Sequence, residues 1–240
     1  MRISGNLIIT RSRSFTRAIN HDAAGRTVNR KIGLTGGIAS GKSSVAKMLS
    51  GALGCEHIDA DEICRQLLEP HEDGWLEFTR AFGSVYLSDD GTIDRPLLRN
   101  DLFSSEQFRQ KVNDIIHPIA KRVVLSRMNQ IIESGSGLKV VVEVPLLYEV
   151  HWEDLFDTVI VVNADYETCL KRLMDRDGLD KAAAAKELQS QWPLAEKVMK
   201  ADHVIDNSGL LLDTNSQVKH LVELLKNNGM GDWKKLDSKT

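Results

Sequence analysis

The residues with the clearest chemical role form a glycine-rich stretch near the start of the chain. Positions 36–43, GGIASGKS, match the pattern G-x-x-x-x-G-K-[ST]. Glycines in such a loop allow successive backbone N–H groups to point inward around an anion. Lys42 would reach the β- and γ-phosphates of a nucleoside triphosphate, and the Ser43 hydroxyl would bind Mg²⁺. The predicted nucleotide contacts from this P-loop are Gly36, Gly37, Ile38, Ala39, Ser40, Gly41, Lys42, Ser43 and Ser44.

Two aspartates that follow an apolar segment are the candidate proton acceptors. Asp59 and Asp61 are two positions apart, so in an extended chain their side chains face the same way. One could accept the proton of a substrate hydroxyl or orient that hydroxyl toward the γ-phosphate. The other could tune the first or hold Mg²⁺ through water. The alternative is that an aspartate caps the following helix, and this role is compatible with the catalytic one.

Three basic side chains could contact phosphate groups. Arg172 and Arg176 are one helical turn apart, and a guanidinium there would neutralise charge on the transferred phosphoryl group. A solvated basic face is the alternative for this pair. His117 precedes Pro118 in an apolar helical stretch. Its position favours a structural hydrogen bond, with contact to a substrate phosphate as the second interpretation.

Five short segments, several of them runs of β-branched residues, alternate with helical patterns and must position these groups. The segments 31–35, 56–59, 138–144, 158–163 and 203–206 predict five parallel strands. Their alternation with helices predicts an α/β fold, a doubly wound parallel sheet covered on both faces. Ligands in such sheets bind at the carboxyl ends of the strands. Four of the five strand ends carry polar residues, which are Thr35, Asp59, Glu143, and Asp206 with Asn207.

The spacing of the strands predicts a core with two additions. The core comprises 31–60, 138–165 and 192–226, and a helical insertion at 61–137 would hold the second substrate. A lid is expected at about 166–191, with helices at 166–175 and 181–191. The insertion has helical patterns at 61–68, 95–103 and 107–132, and the glycine–serine stretch 134–137 predicts a flexible joint.

Bulk composition excludes several classes of protein. The net charge of −3 gives no reason to expect nucleic-acid binding. No apolar run approaches the roughly 18 residues of a membrane span. The three cysteines have no metal-ligand spacing, which favours reduced thiols in the cytoplasm. The length of 240 residues suits one large α/β domain with an insertion. The expected assembly is a monomer or a small homo-oligomer, which the sequence does not decide.

The two ends of the chain differ from the rest. Residues 1–30 contain six arginines and one acid. This composition favours a disordered extension or an over-long gene product, with an organelle transit peptide as the second interpretation. The polar segment 227–240 predicts a frayed tail. Both segments are therefore left out of the predicted fold.

Further motifs make the sequence resemble the dephospho-CoA kinases. The likeness spans about residues 31–226 and includes KIGLTGGIASGKSSV at 31–45 and IDADEICR at 58–65. The later motifs, in the order of the family, are Asp94-Arg95, Ile116-His117-Pro118, PLLYE at 145–149, Arg172, Arg176-Asp177, QWP at 191–193 and VIDNSG at 204–209. The P-loop is generic, whereas the combination with the DAD, His-Pro and PLLYE segments is specific.

The resemblance implies the last step of coenzyme A synthesis, in which ATP phosphorylates the 3′-hydroxyl of the dephospho-CoA ribose. It implies that Asp61 is the base or hydroxyl-orienting group and that Asp59 supports it. The implied substrate contacts are Arg65, Arg95 and His117, the implied lid arginine is Arg172 or Arg176, and Asn207 is an implied nucleotide contact. The family often has arginine where this chain has Glu187. Glu143 would be an optional partner for Mg²⁺.

Two other functions remain open at this stage. Another P-loop kinase acting on a nucleoside or nucleoside monophosphate would share the loop, as would a nucleotide-dependent regulatory protein. The sequence lacks the Asn-Lys-x-Asp segment that reads guanine, which disfavours a GTPase switch.

Overall fold

The computed structural model describes residues 30–135 and 139–227. Of the segments discussed above, 1–29, 136–138 and 228–240 lie outside the described residues. The expected N-terminal extension, most of the expected joint and nearly all of the expected tail therefore fall there. No helix in the described ranges has both the length and the apolar character needed to cross a bilayer.

A five-stranded parallel sheet forms the centre of the molecule. Its strands are β1 (Lys31–Gly36), β2 (Glu56–Asp59), β3 (Val140–Glu143), β4 (Thr158–Asn163) and β5 (His203–Asp206). They lie in the order β2-β3-β1-β4-β5, and every neighbouring pair is parallel. The predicted α/β fold is thus confirmed. Strand β3 is shorter than predicted, since it ends at Glu143 and residue 138 lies outside the described part.

Helices cover both faces of this sheet. They are α1 (Lys42–Leu53), α2 (Ala60–Leu67), α3 (Asp73–Phe82), α4 (Arg95–Ser104), α5 (Glu106–Glu133), α6 (Tyr166–Asp177), α7 (Lys181–Leu188), α8 (Leu194–Lys200) and α9 (Leu211–Asn227). Helices α1 and α9 pack on one face, and α2, α5 and α8 pack on the other. The chain leaves central strand β1 first toward β2 and later toward β4. Because this reversal opens a crevice at the carboxyl end of β1, the P-loop lies there.

Helices α3, α4 and α5 share a small core of their own beyond the sheet. Phe78, Tyr86, Leu98 and Ile116 are buried in it. Helix α3 was not predicted, although Phe78 and Phe82 are spaced for one helical face. Short polar side chains cap several of these helices by accepting backbone N–H bonds, which fixes where the helices begin. These caps are Asp59 for α2, Asp94 for α4, Ser105 for α5, Asp165 for α6 and Asp180 for α7.

Helices α6 and α7 pack against the outside of the P-loop. Leu170, Leu173 and Ala184 are buried, and Ile38 and Ala39 of the loop pack against them. The side chains of Ile38 and Ala39 thus point away from the inside of the loop. The backbone N–H groups of the loop are left to contact a ligand. Helix α7 ends at Leu188, so the predicted end at 191 is wrong. Because Pro193 disfavours helical geometry in the residue before it, the chain is already extended when it reaches α8.

Candidate active site

The P-loop has the backbone geometry of an anion-binding nest. Ala39 and Gly41 have positive φ angles of 57° and 89°, so residues of left-handed conformation alternate with ordinary ones. Glycine is required at two positions. A Cβ on Gly36 would strike the Val162 carbonyl oxygen, and a Cβ on Gly41 would strike the Asn207 amide nitrogen. Helix α1 begins at Lys42, and no side chain in the described part of the protein caps it, so its first N–H groups are left for a ligand.

Lys42 lies inside the curve of this loop. Its ammonium donates a hydrogen bond to the Gly37 carbonyl oxygen at 2.8 Å. Burial lowers the pKa of Lys42, while the negative charges of Glu143 and Asp61 act in the opposite direction. These interactions place both carboxylates in the electrostatic field of the P-loop lysine. An anionic phosphate at the same place would raise the pKa of Lys42 again, because a negative charge favours the ammonium form.

Ser43, the predicted Mg²⁺ ligand, is tied to two neighbouring strands. Its hydroxyl donates to Glu143 Oε1 at 2.8 Å, and Glu143 Oε2 lies 3.5 Å from His57 Nε2. Burial, the largest influence, raises the pKa of the Glu143 carboxyl, but the hydrogen bond from Ser43 and the nearby His57 and Lys42 together lower it. Sequence reasoning missed His57. Its alternation with Asp59 along β2 was the available signal, because such residues share one face of a strand.

Asp59 and Asp61 both lie beside the P-loop, but not as an extended pair. Asp59 Oδ1 accepts the backbone N–H groups of Asp61 and Glu62 at 2.9 and 3.2 Å. Asp59 therefore caps helix α2, and Asp61 lies in its first turn. The prediction that both side chains face one way in extended chain is wrong, because the helix begins at Ala60.

The Asp61 carboxylate has the properties of a proton acceptor. Its side chain opens to solvent in a recess that is densely surrounded by protein. Partial desolvation in this recess raises the pKa of Asp61, the charge of Asp59 raises it further, and Lys42 and Arg65 act against them. A carboxyl whose pKa is raised toward neutrality is a stronger base than an ordinary aspartate.

The two arginines of α6 have different surroundings. Arg172 donates from Nη2 to the Asn207 carbonyl oxygen at 3.0 Å, and its Nη1 lies 3.9 Å from the place that a Cβ on Gly41 would take. That Nη1 is buried and has no hydrogen-bond partner among the described residues. Arg176 is exposed and makes two bonds to Asp177, at 2.7 and 3.0 Å. Arg172 is thus the one directed at the P-loop.

Asn207 supports the loop from the end of β5. Its amide Nδ2 donates to the Ser40 carbonyl oxygen at 2.8 Å, and its Oδ1 accepts from the Thr214 hydroxyl at 2.8 Å. Since its own carbonyl binds Arg172, Asn207 connects the P-loop to α6. The structure therefore places it against the loop backbone.

The predicted substrate contacts fall into two groups. Arg65 bonds to Glu62 and lies 4.0 Å from Asp59, and Arg95 donates to Glu69 at 2.7 Å and to the Arg65 carbonyl at 3.4 Å. These two arginines lie together on the α2 side of the site. His117 lies partly buried in the middle of α5, where burial lowers its pKa and Asp114 acts against this. No described contact joins His117 to either arginine.

Comparison with known proteins identifies a family to which the chain is similar over most of its length. The family model described as dephospho-CoA kinase matches residues 30–213, which is more than half of the chain. The chain belongs to the dephospho-CoA kinase family. The dephospho-CoA kinase of Geobacillus kaustophilus is 42% identical over 187 residues, covering 78% of this chain and 92% of that protein.

Solved structures place the fold in the same family. A Thermus thermophilus protein is 28% identical with a TM-score of 0.68, covering 83% of this chain and 99% of that one. A dephospho-CoA kinase from Campylobacter jejuni is also 28% identical, with a TM-score of 0.54, covering 81% of this chain and 96% of the other.

In this member of the dephospho-CoA kinase family, an ion-pair bridge joins helix α4 to helices α6 and α7. Arg99 of α4 lies 3.1 Å from Asp177 at the end of α6 and 3.0 Å from Glu187 of α7. The family often has an arginine at the position of Glu187. In this chain the glutamate there forms an ion pair with Arg99 instead. The bridge ties α6 and α7 to the α3–α5 group.

Replacing Arg99 with alanine is expected to loosen α7. Because exposed ion pairs contribute about 0.2–1 kcal/mol each, amide exchange in α7 should rise up to about fivefold. Hydrogen exchange with mass spectrometry measures this. Arg80→Ala is the control, since Arg80 pairs only with Glu77 of its own helix among the described contacts. Equal exchange in α7 for Arg99→Ala and Arg80→Ala would contradict the bridge.

The bridge also has a predictable pH dependence. Hydrogen bonds from Arg176 and Arg99 hold the pKa of Asp177 at about 2, below its usual 3.8. The stabilisation from this carboxylate is therefore complete above pH 3.8 and is lost as the pH falls through about 2.

Proposed function

We propose that this chain transfers the γ-phosphoryl group of ATP to the 3′-hydroxyl of the dephospho-CoA ribose, giving coenzyme A and ADP. The observation that carries the proposal is the Asp61 carboxylate, a base of raised pKa that shares the electrostatic field of the P-loop Lys42. The identity of the acceptor is inferred from membership of the dephospho-CoA kinase family, because the P-loop by itself indicates only that a nucleotide binds.

The donor side of the reaction uses the P-loop. In the proposed complex, the backbone of residues 36–44 surrounds the phosphates, Lys42 leaves Gly37 for the β- and γ-phosphates, and Asn207 holds the loop. Ser43 and Glu143 offer the oxygen ligands that suit Mg²⁺, which takes few protein ligands and keeps phosphate and water for the rest. Bound Mg²⁺ would neutralise charge on the phosphate oxygens.

The acceptor side uses helix α2 and its neighbours. Asp61 would take the proton of the 3′-hydroxyl as the hydroxyl oxygen forms its bond to the γ-phosphorus. The bond from that phosphorus to the bridging oxygen breaks, and the electron pair leaves with ADP. Arg172 would stabilise the charge on the transferred group. Arg65 and Arg95 would bind anionic groups of dephospho-CoA, with His117 as a further contact from α5.

The same proposal assigns roles to the parts of the chain. Residues 61–137 would hold dephospho-CoA, and residues 166–191 would act as the lid. The cysteines of the described region are free thiols, which supports a reducing compartment such as the cytoplasm. A monomeric or small homo-oligomeric state stays a prediction.

An acceptor comparison tests the proposal. Purified protein with Mg-ATP is given dephospho-CoA, adenosine, AMP or no acceptor, while ADP release is followed and the product is weighed by mass spectrometry. We expect one added phosphate on dephospho-CoA alone. Phosphorylation of adenosine or AMP with dephospho-CoA untouched would instead establish the nucleoside or nucleotide kinase. ADP release with no acceptor dependence, from protein that binds ATP, would overturn the transfer reaction.

A further inference from the structure

A fully buried lysine lies behind the P-loop. Lys197 of α8 has 0% of its surface exposed. Its ammonium lies 2.7 Å from Glu149 Oε1, 2.9 Å from the Pro145 carbonyl oxygen and 3.5 Å from the Gly36 carbonyl oxygen. Since an ammonium is buried only when it is paired and hydrogen-bonded, these contacts determine where Lys197 can lie.

The partners of Lys197 connect three segments around the nucleotide loop. Gly36 opens the P-loop. Pro145 follows β3, and its carbonyl also accepts the Thr35 hydroxyl at 3.1 Å. Glu149 also accepts the Trp192 backbone N–H at 3.2 Å. The Lys197 ammonium therefore contacts the P-loop and the segment after β3 directly. Through Glu149 it is also linked to the segment that leads into α8.

The contact with Gly36 bears on the phosphate-binding face of the loop. In a trans peptide the C=O and the following N–H point in opposite directions. A Gly36 carbonyl directed at Lys197 therefore turns the Gly37 N–H to the other side of the chain. Leu194 of α8 supports the same peptide, 3.4 Å from the place that a Cβ on Gly37 would take. Lys42 holds the next carbonyl, that of Gly37, from within the loop.

Nucleotide binding would change the contacts of Lys42 but not those of Lys197. Lys42 must release Gly37 to reach a phosphate, so its contact changes on binding. Lys197 lies on the buried side, where no phosphate can reach it, so its contacts persist.

We propose that Lys197, paired with Glu149, is a positioning residue that fixes the Gly36–Gly37 peptide and thereby sets the affinity of the P-loop for the ATP phosphates. This role rests on the proposed function only in taking ATP as the donor; it does not depend on which acceptor is used. The alternative is an ion pair that contributes to folding alone.

A double variant separates positioning from folding. Lys197→Met leaves the largely buried Glu149 carboxylate without its counter-ion, and this variant is expected to be less stable than wild type. Lys197→Met with Glu149→Gln removes both charges, while the glutamine oxygen can still accept the Trp192 N–H. Since neutral replacement of both members of a buried pair is often harmless to folding, the double variant should unfold near the wild-type denaturant midpoint.

ATP affinity is the deciding readout. In the double variant, calorimetry with Mg-ATP should show Kd raised about tenfold, the equivalent of one charge-assisted hydrogen bond. KM for ATP should rise in parallel, KM for dephospho-CoA should stay unchanged, and Lys197→Arg should recover part of the affinity. Lys200→Met is the matched control on α8, because Lys200 stacks on Tyr148 and Trp192 without a described contact to the P-loop.

Each outcome decides between the two roles. Wild-type ATP affinity in a folded double variant would overturn the positioning role. Weakened ATP affinity in the double variant would support positioning even if dephospho-CoA proved not to be the acceptor. Wild-type protein that does not bind ATP would overturn the proposed function and the positioning role together.

Discussion

Replacing Asp61 with asparagine is expected to lower kcat about 10²- to 10⁴-fold, the range contributed by a positioned general base. The amide keeps the shape of the carboxylate but cannot take the proton of the substrate hydroxyl. Because Lys42 and the P-loop backbone are unchanged, Mg-ATP should bind with nearly its wild-type Kd. Steady-state kinetics with dephospho-CoA and calorimetry with ATP measure the two quantities separately.

Asp59→Asn is the natural comparison for this variant. Asparagine caps a helix as well as aspartate does, so the cap of α2 should survive. The loss of kcat should therefore be smaller than for Asp61→Asn. A near-normal rate in Asp61→Asn, or a larger loss in Asp59→Asn, would remove Asp61 from the role of base.

The pH profile gives a second check on Asp61. The base acts only when it is deprotonated, so kcat should fall as the pH drops through the pKa of Asp61. Since desolvation and the charge of Asp59 raise that pKa, the fall should begin at a higher pH than for an ordinary aspartate. Asp61→Asn should lose this acid limb.

Replacing Arg172 with alanine should lower kcat about 10³-fold, the scale of an arginine that meets charge in phosphoryl transfer. The structure directs Arg172 Nη1, which has no hydrogen-bond partner within residues 30–135 and 139–227, at the P-loop, whereas Arg176 is held by Asp177. The effect on ATP affinity should be smaller than the effect on kcat, because the charge that Arg172 stabilises grows as the reaction proceeds. Rapid-quench single-turnover kinetics isolates the chemical step.

Arg176→Ala is the matched control, one turn away on the same helix. We expect a loss of kcat below about tenfold, because this arginine contributes an exposed ion pair. Arg172→Lys keeps the charge but not the planar fork, and its rate should lie between those of wild type and Arg172→Ala. Equal losses of kcat and ATP affinity in Arg172→Ala would mean that Arg172 only positions ATP. A larger loss in Arg176→Ala would exchange the roles of the two arginines.

Most of the sheet was predictable from local patterns. A continuous apolar run predicted β4 with its observed bounds, because a strand buried on both faces needs apolar side chains throughout. The edge strands β2 and β5, which contain more polar residues, also have their predicted bounds. Helices α3, α8 and α9 were not predicted. The pattern of α8 was hidden because Lys197, a charged residue, takes a core position that only its distant partners make tolerable.

The sequence by itself determined the chemistry of the nucleotide loop and the family. Those features depend on residues adjacent in the chain, where glycine, lysine and serine fix local backbone geometry and charge. Tertiary structure alone decided that Arg172 is the arginine that faces the loop, that Asp61 lies near Lys42, and that His57, Glu143 and Ser43 form one chain of contacts. It also decided that Lys197 lies behind Gly36. These relations join residues far apart in sequence, and packing rather than spacing sets the distances and burial on which their charges depend.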